Sequence, residues 1–143
     1  MNGRAYTMCG TPEYMAPEIL QNQGYGRSVD WWSLGVLAYE LCSGYTPFKA
    51  NSNKHIFLKI LKGTFVCPIY FSSELKDFIG RILVIDLTKR VGFINNSILY
   101  IKSHEWLSGV NWNGIINRNI ASPFIPQISK LGKLQKIIIE ESG

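Results

Sequence analysis

Residues 7–18 read TMCGTPEYMAPE, and the fold turns on what this segment is. It places Gly10, Pro12 and Pro17 among turn-forming residues, with Glu13 and Glu18 around Tyr14. It has little hydrophobic periodicity, so it is neither an ordinary opening helix nor a strand. A packed domain usually starts with an element that founds its core. Residues 1–12 instead read as extended or looping chain, as if the sequence began in the middle of something.

Outward from this segment, Pro17 suits the first turn of a short helix, PEILQN, that ends before Gly24. Residues 28–48, SVDWWSLGVLAYELCSGYTPF, offer Ser28 or Asp30 as an N-cap and Gly44 and Pro47 as terminators. Between them nearly every position is apolar, with few charges beyond Asp30 and Glu40. A helix apolar all round is buried all round, so this one is predicted to be the central post. KHIFLKILKG repeats apolar residues at Ile56, Phe57, Ile60 and Leu61, a helical face stopped by Gly63. SSELKDFIGRILVID opens on a capping pattern at Ser72 or Ser73 and stripes Leu75, Phe78, Ile79, Ile82 and Leu83. DLTKRVG reads as a turn, SHEWLSG as one further short helix, and SPFIPQI as extended because of its prolines. The last stretch, KLGKLQKIIIEESG, is weakly patterned. The fold class expected from this series is mainly α, with almost no sheet.

Composition narrows the function. Hydrophobic residues make up 46% of the 143 and charged residues 17%, as in a globular domain with a real core. The net charge of +5 comes from thinly spread lysines and arginines, a solvated basic surface and not a nucleic-acid groove. Cys9, Cys42 and Cys67 form no CxxC pair, and an odd count without a signal peptide fits reduced thiols in a cytoplasmic or nuclear protein. His55 and His104 stand apart from the cysteines, which argues against a zinc site. No run of eighteen apolar residues occurs, so no membrane span is expected.

TMCGTPEYMAPE followed by VDWWSLGVLAYEL resembles the C-terminal lobe of a eukaryotic serine/threonine protein kinase, entered inside its activation segment. Ala16, Pro17 and Glu18 match the A-P-E element that closes that segment. GYTPF, FSSELKDFIGRILVIDLTKRVG, IKSHEW and SPFIPQI are similar, in order and spacing, to cAMP-dependent protein kinase catalytic subunits of the AGC group. The resemblance implies a mainly α fold, the large-lobe fragment of a kinase without the N-terminal β lobe. Residues 1–107 would be the partial kinase domain and 108–143 a divergent AGC-type tail.

The resemblance also implies roles. Thr7 matches the activation-loop phosphothreonine, whose added charge orders the loop by pairing with arginines. Thr11 matches the threonine that supports the catalytic aspartate, a residue this chain does not contain, so no catalytic residue is assigned. Met8, Pro12 and Met15 match a pocket for the apolar residue after the phosphorylated one. Glu13 and Glu40 match acids that take substrate arginines, and a carboxylate can hold a guanidinium through two parallel hydrogen bonds. For Glu40, on a helix predicted to be buried, the alternatives are a site-facing or an internally paired carboxylate. Glu18 and Arg90 match a structural ion pair. Asp30 matches an anchor of the catalytic loop, though it reads equally as a helix cap. Tyr6 and Phe57 match aromatic contacts to a cAMP-binding regulatory subunit.

ATP and Mg2+ are the cofactors such a family uses, yet no G-x-G-x-x-G, V-A-I-K, H-R-D or D-F-G occurs here. In the family these precede the activation segment. The expectation is therefore a chain that starts late, binds neither ATP nor Mg2+ alone, and transfers no phosphate by itself. Within the matched region Thr46 stands where the family carries a second proline, and the loop after Arg90 is less basic. Three readings follow: part of a kinase acting on arginine-containing protein substrates, a non-catalytic fragment that binds regulatory subunit or basic peptides, or a product without function.

Overall fold

The computed structural model describes residues 11–24, 26–91 and 97–125. It comprises two compact units, residues 1–110 and 111–143. Among the described residues there are helices and turns and no strands, so the chain is mainly α. No helix among them is long and apolar enough to cross a membrane.

In the first unit a 3-10 turn, Pro12–Tyr14, leads into the one-turn helix α1, Pro17–Leu20. Both begin on proline, whose fixed φ and missing N–H suit a first helical position. Helix α2, Ser28–Ser43, ends at Gly44, whose φ of 83° is the left-handed cap that glycine adopts without strain. Helix α3, Asn53–Lys62, starts where the Ser52 side chain accepts the His55 N–H and stops at Gly63 in the same left-handed conformation. Helix α4, Ser73–Ile82, is capped by Ser72, whose hydroxyl oxygen accepts the Leu75 N–H at 3.2 Å. Helix α5, Ser97–Lys102, and a 3-10 turn at Glu105–Leu107 close the unit.

Trp32, Val36 and Tyr39 of α2 meet Leu75, Phe78, Ile79 and Ile82 of α4 in one core with Ile56 and Ile60 of α3. Phe48 lies under it, stacked on Trp32 with ring centroids 5.4 Å apart and edge-on to Phe65 at 5.9 Å. Tyr39 meets Phe71 edge-on at 5.2 Å, and its hydroxyl donates to the Val66 carbonyl at 2.8 Å. Gly35 sets the approach of α2 to α4: a Cβ there would lie 2.6 Å from Ile82 Cγ2 and 2.9 Å from Leu83 Cδ2. Both neighbours are buried and cannot swing away. Gly35→Ala is therefore expected to cost about 1–3 kcal/mol by overpacking, read as a fall in the urea midpoint at unchanged m-value. An unchanged midpoint would show that the two helices part freely.

Several sequence expectations need correction. Helix α2 is not buried all round: Leu37 and Leu41, four residues apart on one face, are exposed at 41% and 76%. The core takes Trp32, Gly35, Val36, Ala38 and Tyr39 of this helix. Neither Ser28 nor Asp30 is the N-cap of α2. The cap position is Arg27, which makes no capping side-chain bond, and both residues lie in the first turn. The Ser28 hydroxyl instead donates to Glu18 Oε1 at 3.2 Å, while exposed Asp30 complements the helix dipole. Helix α5 was not legible, because SILYIK is only six residues, four of them apolar, with no cap or stop signal of its own.

The second unit is described from residue 111 to 125. Its helix α6, Trp112–Ile116, is capped by Asn111, whose side-chain oxygen accepts the Gly114 N–H at 2.9 Å. This helix was also missed, since WNGII combines poor helix formers. Residues 121–125 are irregular. The end of SPFIPQI and the whole of the terminal stretch lie outside the described residues.

Candidate functional site

The turn Pro12–Tyr14 packs on both α2 and α3, and that contact assembles the site. Ser33 on α2 donates its hydroxyl to the Tyr14 carbonyl at 3.2 Å, tying the turn to the helix. From this junction the Tyr14 hydroxyl donates to Glu40 Oε2, near the C-terminal end of α2. The Thr46 hydroxyl, from the segment after α2, donates to Glu13 Oε2. Glu13, Tyr14 and Glu40 are half-buried, and Thr46 is buried.

Two carboxylates thus sit around one phenol. The Tyr14 pKa is pushed up to about 12, first by the hydrogen bond to Glu40, then by burial and by the charges of Glu40 and Glu13. Among the described residues neither Glu13 nor Glu40 has a lysine, arginine or histidine within ion-pair distance. Their partners are neutral hydroxyls, so both negative charges remain available to an incoming cation.

Below the site, Glu18 and Arg90 form a buried pair, with contacts of 2.7 Å from Nη1 to Oε1 and 3.0 Å from Nη2 to Oε2. The remaining Arg90 donors are also used: Nε gives to the Val84 carbonyl at 2.7 Å, and Nη1 and Nη2 reach the Ser28 and Ile85 carbonyls at 3.5 Å. The guanidinium lies 4.8 Å from the Trp32 ring centroid, a cation–π contact inside the core.

The other residues singled out from sequence fall as follows. Thr11 is exposed at the head of the turn, where its carbonyl accepts the Tyr14 N–H at 3.0 Å. Pro12 is half-buried and Met15 is buried, 7% exposed, so Met15 presents little surface to a ligand. Asp30 is exposed on the first turn of α2, and Phe57 is half-buried on α3 against the core. Tyr6, Thr7 and Met8 lie outside the described residues. Sequence reasoning missed the role of the two hydroxyls: Tyr14 was noted only as a tyrosine between the glutamates, and Thr46 only as a departure from proline.

A separate polar cleft of about 460 Å3 opens on the same unit beside α4 and α5. There Arg81 Nε bonds Asp77 at 2.7 Å and Arg81 Nη1 bonds the Tyr100 hydroxyl at 2.8 Å. The Arg81 bond is the main cause holding the Asp77 carboxyl below its usual range. His104 Nδ1 accepts the Trp106 N–H at 3.2 Å, so its Nε2 carries the proton that faces Asp77 at 3.1 Å. Among the described residues no three of His, Cys, Asp and Glu converge as a metal ion requires.

A protein kinase domain model matches residues 1–107. The cAMP-dependent protein kinase catalytic subunit of Dictyostelium discoideum is 44% identical over 129 residues, which is 90% of this chain and 20% of that protein. The human cAMP-dependent protein kinase catalytic subunit PRKX is 41% identical over 126 residues, 88% of this chain and 35% of the relative. Catalytic subunit 2 of Drosophila melanogaster is 41% identical over 131 residues, with 90% and 37% covered. The chain thus spans between 20% and 37% of the length of these relatives.

Proposed function

The chain belongs to the protein kinase family, in its cAMP-dependent AGC-type branch, and on that premise we propose that Glu13 and Glu40 receive the arginines of protein substrates. The reaction served is ATP-dependent phosphoryl transfer to serine or threonine. This chain's contribution is to bind and orient the substrate. The observation that carries the reading is the pair of half-buried carboxylates around Tyr14, each held by a hydroxyl and neither neutralised by a cation among the described residues. In a protein of net charge +5, two such carboxylates without cationic partners mark a place where a guanidinium supplies the missing charge. Phe57 on α3 offers an aromatic neighbour for a second partner, a cAMP-binding regulatory subunit carrying an arginine-rich segment.

The test is a titration of the full chain with a fluorescent peptide bearing two arginines before its serine. Glu40→Gln, which keeps the acceptor for Tyr14 but removes the charge, is expected to weaken binding about tenfold or more. Equal affinity for a peptide with both arginines replaced by alanine would overturn the reading. Specific binding without phosphate transfer from ATP and Mg2+ would assign the chain as a non-catalytic docking fragment.

A further inference from the structure

We propose that Thr46 is a positioning residue that fixes the orientation of Glu13 for an incoming guanidinium; this rests on the reading of Glu13 as an arginine acceptor. Thr46 is 4% exposed, yet its side chain ends on a half-buried carboxylate at the edge of the core. Its placement is over-determined. Pro47 follows it and restricts its backbone to extended conformations. Its carbonyl accepts the Lys49 N–H at 3.3 Å, closing a turn. Phe48, two residues on, is fully buried against Trp32. A β-branched side chain is also stiff at χ1, so the hydroxyl points one way.

What the hydroxyl does to Glu13 is specific. It donates to Oε2 and leaves Oε1 without a partner among the described residues. A glutamate on a surface turn otherwise samples several rotamers, and an arginine that binds it must freeze them. Thr46 freezes them beforehand. Because the donor is neutral, the carboxylate keeps its charge, which a lysine in the same place would cancel. Tyr14 does the same for Glu40 through Oε2, so the two acceptors are held by the same device from two different segments. A proline at position 46 would preserve the turn but supply no hydroxyl, leaving Glu13 free to rotate.

The experiment uses the full chain and two peptides, one with both arginines and one with the arginine opposite Glu13 replaced by alanine; the replacement whose effect Glu13→Gln abolishes identifies that arginine. Thr46→Val keeps shape and burial but loses the hydroxyl. It is expected to weaken the two-arginine peptide by about three- to tenfold and leave the alanine-replaced peptide unchanged. Thr46→Ser is expected to restore the lost affinity, and Thr46→Val in a Glu13→Gln background is expected to have no further effect. If Thr46→Val fails to fold, Thr46→Pro reads the same loss, and circular dichroism separates folded variants from unfolded ones. Equal affinity of the folded valine or proline variant and the parent for the two-arginine peptide overturns the role of Thr46 alone. Failure of the parent to distinguish the two peptides overturns the arginine reading of Glu13, and this role with it.

Discussion

Arg90→Ala is expected to lower stability by about 3–5 kcal/mol, because it strands the Glu18 carboxylate in the core without a cationic partner. The fully buried guanidinium makes two bonds to Glu18 and three to backbone carbonyls, and covers the Trp32 ring. Truncation removes all of these together, while Ser28 remains as the only hydrogen-bond donor to Glu18 among the described residues. Against a total stability of about 5–15 kcal/mol for a domain, a loss of this size leaves much of the population unfolded at 37 °C. Arg90→Lys is expected to recover only part of the loss, since an ammonium cannot serve a forked carboxylate and the Val84 carbonyl at once. Urea denaturation followed by tryptophan fluorescence reads both variants. A double-mutant cycle with Glu18→Gln is expected to show strong coupling. An Arg90→Ala midpoint equal to the parent's would remove the pair from any structural role.

Phe48→Ala is expected to cost a similar amount, about 3–5 kcal/mol, by a different route. The ring is wholly buried, parallel to Trp32 and edge-on to Phe65. Removing it opens a cavity beneath the helix that carries Glu40. The surroundings cannot collapse to fill it, because Pro47 and the turn from Thr46 to Lys49 hold the backbone in place. Thermal unfolding is expected to fall by about 10 °C or more. Phe48→Leu, which fills most of the volume, is expected to lose less than half as much. Comparable melting of the alanine variant and the parent would mean that the ring is peripheral to the core.

Helix α3 was legible from its apolar spacing and a glycine stop at 63, and α4 from its apolar spacing and a serine cap at 72, independent local signals that agreed; the Ser52 cap of α3 was not read from sequence. Helices α5 and α6 were not, since each is at most six residues long and depends on packing or a single cap. Helix α2 was identified, but its apolar sequence has no preferred side, so nothing local told which face meets α4 and which carries Leu37 and Leu41. The site divides the same way. Glu13 and Glu40 could be nominated by resemblance to kinases, since each lies within or beside a motif. Their hydroxyl partners could not, because Tyr14 stands 26 residues from Glu40 and Thr46 stands 33 from Glu13. Such pairings exist only once the turn has docked on α2.

The contacts around Thr46 close on themselves. Glu13 meets Thr46, Phe48 stacks on Trp32, Trp32 lies against Arg90, and Arg90 holds Glu18, five residues along the chain from Glu13. This is a ring of links and not a branching tree. In a ring, every link is made easier by the others, because the remaining links already hold its two ends near each other. Opening it anywhere loosens it everywhere, so losses on opposite sides overlap and do not add.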